Sequence, residues 1–409
     1  MTENRTIIIG GGAAGLMAGI VSAQGGRKTV IVEKNPKLGR KLYISGKGRC
    51  NVTNNCDAKT VIANTPTNGR FLFSALNVFS PADTIAFFEE NGCPLKTERG
   101  GRVFPVSDKA ADIVDTLRKA AVRSGCVFIH KTAAELIIDS GAAKGVRMTD
   151  GSEQYCDKLI IATGGISYPL TGSTGDGYRF ARQAGHTVMP LRPSLVPLET
   201  EEHFGYDADG LLLKNIEIKV HDTKKNKIIY TDFGELELKR WGLSGAVIRS
   251  ASAHMKDMEP GRYRISIDIK PALDEKTLDA RLLREIDNFR GGTFIDVLAS
   301  LMPKALIEDF AKLCGIPSDK RCSEITREER MRIISLLKAM TRTVSCFRPI
   351  EEAIVTSGGV CVKEIDPKTM QSKLISGLYF AGEVIDIDCY TGGFNIQAAF
   401  STAVLAAKG

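Results

Sequence analysis

The sequence contains no apolar run approaching the ~20 residues that cross a bilayer. Its opening residues, MTENRT, are polar, so no secretory leader is expected there and a cytoplasmic location is. Ten cysteines stand at 50, 56, 93, 126, 156, 314, 322, 346, 361 and 389, yet no two form C-x-x-C. Their spacings fit no zinc or cluster pattern. The five histidines are scattered, and H-E-x-x-H is missing. These absences argue against a metal site and leave most cysteines as reduced core residues. There is no internal repeat, no low-complexity tract and no second dinucleotide fingerprint.

What is present is a dinucleotide-binding unit within residues 6–33. Ile7, Ile8 and Ile9 have the β-branching of a buried strand, and Gly10, Gly12 and Gly15 follow at G-x-G-x-x-G spacing. Gly10 permits a sharp turn, Gly12 lets backbone approach a pyrophosphate, and Gly15 lets a helix lie close to the sheet. Gly15, Gly19 and Ala23 give that helix a small face, and its N-terminal amides favour phosphate. A second strand, Thr29 to Val32, ends in Glu33, where an acid accepts hydrogen bonds from a ribose diol. Strand, glycines, helix, strand and acid together carry far more weight than the glycine motif alone.

At 409 residues the chain is too long for one simple core, and two or three domains are expected. Its 43% hydrophobic and 25% charged residues are those of a globular protein. Residues 34–66 read as a long loop without periodicity. Ser80 and Pro81 start a helix, Gly100 and Gly101 mark a hairpin, and Ser107 is expected to cap the next helix. Residues 126–129 read as a third parallel strand. Residues 159–165 form another, ending in Gly164 and Gly165. Composition shifts after Pro190: strands follow to about Lys270, then helices to Arg342, and the glycine-rich style returns after Thr343. The division expected is 1–190 and 344–409 for a discontinuous nucleotide domain, with 191–272 barrel-like and 273–343 helical. A turn at Thr391, Gly392 and Gly393 enters a final helix, placed at residues 397–407.

A single fingerprint followed by a returning segment suits FAD, with its pyrophosphate at one end and its ring at the other. The helix that follows Gly393 can turn its N-terminal dipole toward the O2 edge of a flavin and stabilise the anionic reduced ring. A simple NAD dehydrogenase needs no such second half. The net charge is +7, and Lys34, Lys37, Arg40, Lys41, Lys47 and Arg49 have no acid among them until Asp57. That run suits a cofactor pyrophosphate, an anionic substrate or RNA phosphates, or is a solvated loop.

The motifs IIIGGGAAGLMA, KLGRKLYISGKGRCNVTN, GRVFPVSDKA, LIIATGG, GSTGDGY, EIDPKTMQSK, GLYFAGEVIDID and TGGFNIQ, in this order, resemble the bacterial BaiN/YhiN-like (aminoacetone oxidase-like) flavoproteins over nearly the whole chain. The resemblance implies an α/β fold: a discontinuous Rossmann-type FAD domain, glutathione-reductase-like, with an inserted β-barrel-like plus α-helical domain. It implies FAD as cofactor and NAD(P)H as electron donor. Carried over residue by residue, Gly10, Gly12, Ala14 and Gly15 hold the pyrophosphate, and Glu33 the ribose. Lys34, Arg40 and Lys41 follow the ribose site, and Ala134 offers backbone to adenine. Gly164, Gly382, Glu383, Asn395 and Gln397 fall on the cofactor's side of the later turns. Cys389, Phe394 and the segment Lys239, Arg240, Trp241, Gly242 depart from the family pattern and bear on the substrate pocket.

The resemblance also implies reduction of a conjugated C=C, in steroid-type enones or in uridine of ribosomal RNA. In both, a hydride from flavin N5 reaches the β carbon and an acid protonates the α carbon. Cys50 is the first candidate acid, its thiol lowered by Lys47 and Arg49, and Tyr168 the second. Arg102 and Arg348 are candidates for a carbonyl or phosphate, and Trp241 for a stacked base, with salt bridging and packing as the alternatives. Uridine of ribosomal RNA is the favoured substrate, ahead of a small bile-acid-type enone. An amine oxidase and a non-catalytic RNA-binding flavoprotein complete the alternatives.

Overall fold

In the computed structural model, which describes residues 4–409, five strands form a parallel sheet. They are β1 (Arg5–Ile9), β2 (Lys28–Val32), β3 (Val127–Ile129), β4 (Lys158–Ile161) and β5 (Leu378–Phe380), in the spatial order β5-β4-β1-β2-β3. The apolar runs explain the order: β1 and β4, paired Ile7 to Leu159 and Ile8 to Ile160, sit centrally and are covered on both faces. α1 (Ala13–Gln24) crosses from β1 to β2 as the first βαβ unit, with Gly19 so close to Ile31 that a Cβ would lie 2.6 Å from its Cδ1. α2 (Phe394–Lys408) returns at the chain's end with most of its residues buried.

Contacts divide the chain into two units. One runs to Ser194 and resumes over Pro349–Gly409; the other is Leu195–Arg348. The expected joints at 190/191 and 343/344 lie within five residues of these. Around its main sheet the first unit carries a three-stranded sheet of Thr53–Asn54, Arg102–Pro105 and Leu95–Thr97, and another of Ala133–Asp139, Ala142–Met148 and Glu153–Tyr155.

The second unit is a closed six-stranded barrel in the order Leu198–Thr200, Gly242–Ser244, Lys227–Lys239, Leu212–Asp222, Tyr263–Asp268, Met340–Phe347. Four helices, Glu275–Asn288, Phe294–Leu301, Lys304–Cys314 and Arg327–Lys338, stand between its last two strands in sequence. The helical part is therefore inserted within the barrel, and residues 340–343, expected to be helical, belong to its closing strand. The apolar pattern of LLKAM continues the helical period across the boundary, so pattern alone placed the end too late.

Other local expectations also shift. Ser80 and Asp83 form a reciprocal capping box on the helix Pro81–Glu90, as the serine and proline indicated. Ser107 does not cap its helix: the helix starts at Ala110, and Asp108 adopts φ 56° with its carboxylate drawn to Arg49 and Lys96. Residues 34–66 are not unstructured loop, since they hold short helices at Arg40–Ile44 and Ala58–Ala63. The last helix begins at Phe394, three residues before its expected start. Among the described residues no single helix is long and apolar enough to cross a membrane.

Candidate active site

Two helices of the first unit open onto one cavity of about 890 Å³ without any side-chain cap. The first is α1. Gly12 is its N-cap, no acid occupies the first turn, and a Cβ on Gly12 would meet nothing within 4 Å. The first-turn amides therefore face open space, where a phosphate would satisfy them. Gly15 acts differently, because its Cβ would lie 1.7 Å from the Gly10 carbonyl oxygen; its bare backbone lets the helix press on the turn. Gly10, Gly12 and Ala14 line the cavity, whereas Gly15 packs behind it.

Glu33, at the end of β2, also lines it. Its Oε2 accepts from the Gly11 amide at 2.7 Å and its Oε1 from the Asn35 amide at 2.7 Å, so the carboxylate fixes the glycine turn as well as facing the cavity. Lys34 lies alongside, paired with Asp176 at 2.6 Å, and Arg40 donates to Asn35 Oδ1 at 2.9 Å. Lys41 reaches across to the later half of the unit: its Nζ meets both Glu383 oxygens at 2.7 and 2.9 Å and Ser167 Oγ at 2.7 Å. Glu383 accepts in addition from the Thr356 amide at 2.9 Å. Gly164, Gly382 and Glu383 all line the same wall.

The second uncapped helix is α2. Its N-cap, Gly393, has φ 96°, and a Cβ there would lie 2.2 Å from the Thr53 carbonyl oxygen. Asn395 lines the cavity but spends its amide on its own loop, accepting from Cys389 N at 2.9 Å and donating to Cys389 O at 2.7 Å. Phe394 closes this part of the wall. Beside this turn stands Asn54, which donates to Gly100 O and Gly392 O at 3.0 Å each, and Arg102 and Phe104 also line the cavity.

Four candidates lie elsewhere. Cys50 is fully buried outside the cavity wall, and desolvation pushes its thiol up to about 12. The expected lowering by Arg49 fails because that guanidinium is paired with Glu98 and Asp108. An enclosed thiol off the cavity wall has no path for its proton to a cavity ligand, so Cys50 does not fit the role of the acid. Tyr168 also lies off the wall, half-buried, with its ring centroid 6.0 Å from Lys41 Nζ. Ala134 sits at a β-bulge with its carbonyl taken by Arg179; Lys131, Thr132 and Ala133 line the cavity in its place. Gln397 is fully buried away from the cavity: its Oε1 accepts from Thr53 and Thr84, and its Nε2 donates to Phe79 O and Ser401. It ties α2 to its neighbours.

The substituted positions separate in the same way. Cys389 is buried against Thr65 Oγ1 at 3.2 Å, with its thiol pushed up to about 12 by burial. The segment from Lys239 to Gly242 forms a hairpin tip of the barrel, where Arg240 lies 3.6 Å over the Tyr206 ring and Arg348 lies 4.6 Å over Trp241. Sequence reading missed Asn35, Asn51, Asn54, Lys131 and Asp176, all of which line the cavity. Asp176 was within reach, because GSTGDG carries it into a helix start, and Asn51 and Asn54 stand within KLGRKLYISGKGRCNVTN; Asn35 and Lys131 have no pattern of their own.

Residues 4–409 match the family described as HI0933-like protein Rossmann domain. The chain is 31% identical to the 3-dehydro-bile acid delta(4,6)-reductase of Clostridium scindens, over 99% of this chain and 98% of that one. It is 30% identical to the ribosomal RNA dihydrouridine synthase of Escherichia coli K12, over 97% and 95% of the two chains. In fold it resembles the 3-ketosteroid delta1-dehydrogenase of Sterolibacterium denitrificans, solved with 1,4-androstadiene-3,17-dione, with a TM-score of 0.54 at 12% identity over 98% of both chains.

Proposed function

We propose that the protein reduces a C=C conjugated to a carbonyl, starting from the premise that it belongs to the HI0933-like family of FAD-dependent oxidoreductases. The observation that carries the reading is the single cavity joining two uncapped helix N-termini, α1 beside Glu33 and α2 beside Gly392 and Gly393. A dinucleotide flavin has an anionic pyrophosphate and, when reduced, an anionic ring, and each helix dipole favours one of them. The volume lies in the upper part of the range for ligand pockets.

In this reading the first-turn amides of α1 hold the pyrophosphate, Glu33 accepts from a ribose, and Lys34 and Arg40 flank that end. Gly164, Gly382 and the Lys41–Glu383 pair face the middle of the cofactor. The N-terminus of α2, held by Asn395 and Thr53, favours negative charge at the ring. When bound, FAD supplies the hydride from N5, and NAD(P)H recharges it. The chain's own contribution is positional: it holds the cofactor and orients an enone-type carbonyl, and the proton that the α carbon takes up comes from solvent water.

The favoured substrate is uridine in ribosomal RNA, whose C5=C6 bond is conjugated to C4=O. Eight cationic residues line the cavity (Lys34, Lys37, Arg40, Lys41, Lys47, Arg49, Arg102 and Lys131) against three acidic ones, Glu33, Asp176 and Glu383. That excess supports a polyanionic ligand. A relative of similar identity named for a bile acid supports a steroid-type enone as the second reading. Mass-spectrometric nucleoside analysis of ribosomal RNA from cells with and without the gene separates them. Loss of dihydrouridine, restored by the wild-type gene, is the expected result. Unchanged dihydrouridine, together with anaerobic NAD(P)H-driven reduction of a steroid enone, would replace the RNA reading with the second.

A further inference from the structure

We infer that Arg102 is the residue that recognises the carbonyl oxygen of the substrate, with Phe104 as its apolar support and Arg49 occupying the neighbouring carboxylates. The inference rests on the enone-reductase reading of the cavity and adds the group that selects the substrate.

Five charged residues gather around this wall: Arg49, Lys96 and Arg102 against Glu98 and Asp108. Three cations meet two carboxylates, so one positive charge is left uncompensated. The pairing identifies which. Arg49 contacts both carboxylates, Glu98 closely and Asp108 at 2.8 Å, and Lys96 reaches Asp108 at 2.6 Å. Arg102 has, among the described residues, only a 3.9 Å pair with Glu98 and one hydrogen bond, from Nε to Arg99 O at 3.1 Å. Its side chain is 48% exposed, and it lines the cavity.

The placement points to the substrate and not to the nucleotide half. Arg102 is paired with Asn54 across the small sheet, and Asn54 is hydrogen-bonded to the Gly392 carbonyl in the turn that starts α2. The guanidinium therefore stands one strand away from the helix N-terminus assigned to the ring. Phe104 lies under both arginines, at 4.0 Å from Arg49 and 5.9 Å from Arg102, and gives the second guanidinium an apolar support. A planar donor fork with no close carboxylate matches an oxygen that gains negative charge when the β carbon of an enone is reduced. The same chemistry is offered by uracil C4=O and by a steroid 3-ketone. Lys47 also lines the wall, but its ammonium is a point charge on a flexible stem and defines no direction.

The test is equilibrium binding to the FAD-loaded protein, in two arms. One arm compares a uridine-containing RNA hairpin with the same hairpin carrying cytidine, which replaces C4=O by an amino group. The other compares androst-4-ene-3,17-dione with the analogue lacking the 3-oxygen. Wild type should prefer the carbonyl ligand in the arm that holds its substrate. Arg102→Gln should weaken that ligand by roughly 10- to 100-fold, as loss of a charged hydrogen bond does, and leave the carbonyl-free ligand unchanged. Arg102→Lys should fall between, and serves as the second variant if the glutamine protein does not retain FAD. A preference in the RNA arm assigns the oxygen to uracil; one in the steroid arm assigns it to a small enone. Undiminished preference in both variants would overturn the role of Arg102 alone. A wild type without preference in either arm would overturn the reading of the site and this inference with it.

Discussion

Gly12 and Gly15 belong to one motif, yet alanine should affect them in different ways. At Gly12 the backbone has φ −84° and ψ −164°, an extended conformation open to any residue, and an added Cβ meets nothing within 4 Å. Gly12→Ala should therefore cost the apoprotein no more than about 1 kcal/mol, the scale of exchanging residues at an N-cap. A first unit of this size would show that as a shift of about 2–4 °C in Tm. The methyl would project into the space assigned to the pyrophosphate and keep it from the first-turn amides. Losing two charge-assisted hydrogen bonds at about 1.5–3 kcal/mol each weakens FAD by two to four orders of magnitude. At Gly15 the Cβ would lie 1.7 Å from the Gly10 oxygen, about half of an ordinary contact, so helix or turn must move. Overpacking of that kind costs about 1–3 kcal/mol, offset in part by roughly 1 kcal/mol of helix propensity. Gly15→Ala should then lower both Tm and FAD affinity. The assay is reconstitution of apoprotein with FAD, followed by flavin fluorescence, with Tm measured on the same samples. A Gly12→Ala protein that binds FAD like wild type would refute the placement of the pyrophosphate.

Three further outcomes follow from the same geometry. Lys158 is buried and donates to Ala406 O and Ala407 O, and burial, with a smaller contribution from Arg27, lowers its ammonium from 10.5 to about 8. Because the folded value lies below the unfolded one, stability is lost as pH falls from about 10.5 to 8 and stays reduced below that; Lys158→Met should remove roughly 3 kcal/mol of that dependence, read as the wild-type minus variant difference in urea unfolding. Glu383→Gln leaves Lys41 without its carboxylate and should weaken FAD by about tenfold or more while Lys41→Met, which strands the carboxylate, weakens it further; equal affinity in both would exclude the pair from the cofactor site. If RNA binds across Lys37 and Lys47, the slope of log K against log salt should be about −1.4, and replacing both should flatten it without changing steroid binding.

Much of the fold was legible because it rests on periodicity and on glycine spacing. β1, α1 and β2 occur where three isoleucines, the glycine motif and a valine-rich strand placed them. The barrel was harder to read. Its closing strand, Met340–Phe347, pairs with Tyr263–Asp268 across four intervening helices, and no local pattern encodes a partner that far away. Ser107 failed as a cap for a related reason: a distant pair, Arg49 and Lys96, holds the neighbouring Asp108 and sets where the helix begins. Propensity gave the residue types, and tertiary contacts chose among them.

The candidate site shows the same limit in its charges. The basic run from Lys34 to Arg49 looked like six free cations. In the structure three are committed: Lys34 to Asp176, Lys41 to Glu383, and Arg49 to Glu98 and Asp108. Each partner lies between 49 and 342 positions away, so the run's net effect was hidden. Of the others, Lys37 lies 3.9 Å over the Tyr43 ring, and Arg40 donates to Asn35. Lys37, Arg40 and Lys47 make no ion pair among the described residues. The sequence reading also missed the consequence for Cys50. A thiol between two cations suggested an activated acid, but Lys47 is exposed and the Arg49 guanidinium is held by carboxylates, while the thiol is enclosed. Desolvation then dominates and keeps it neutral. The ion pairs that leave Cys50 without a cation also bear on Arg102, because Glu98 gives its Oε1 to Arg49 and leaves Arg102 a 3.9 Å pair with its Oε2.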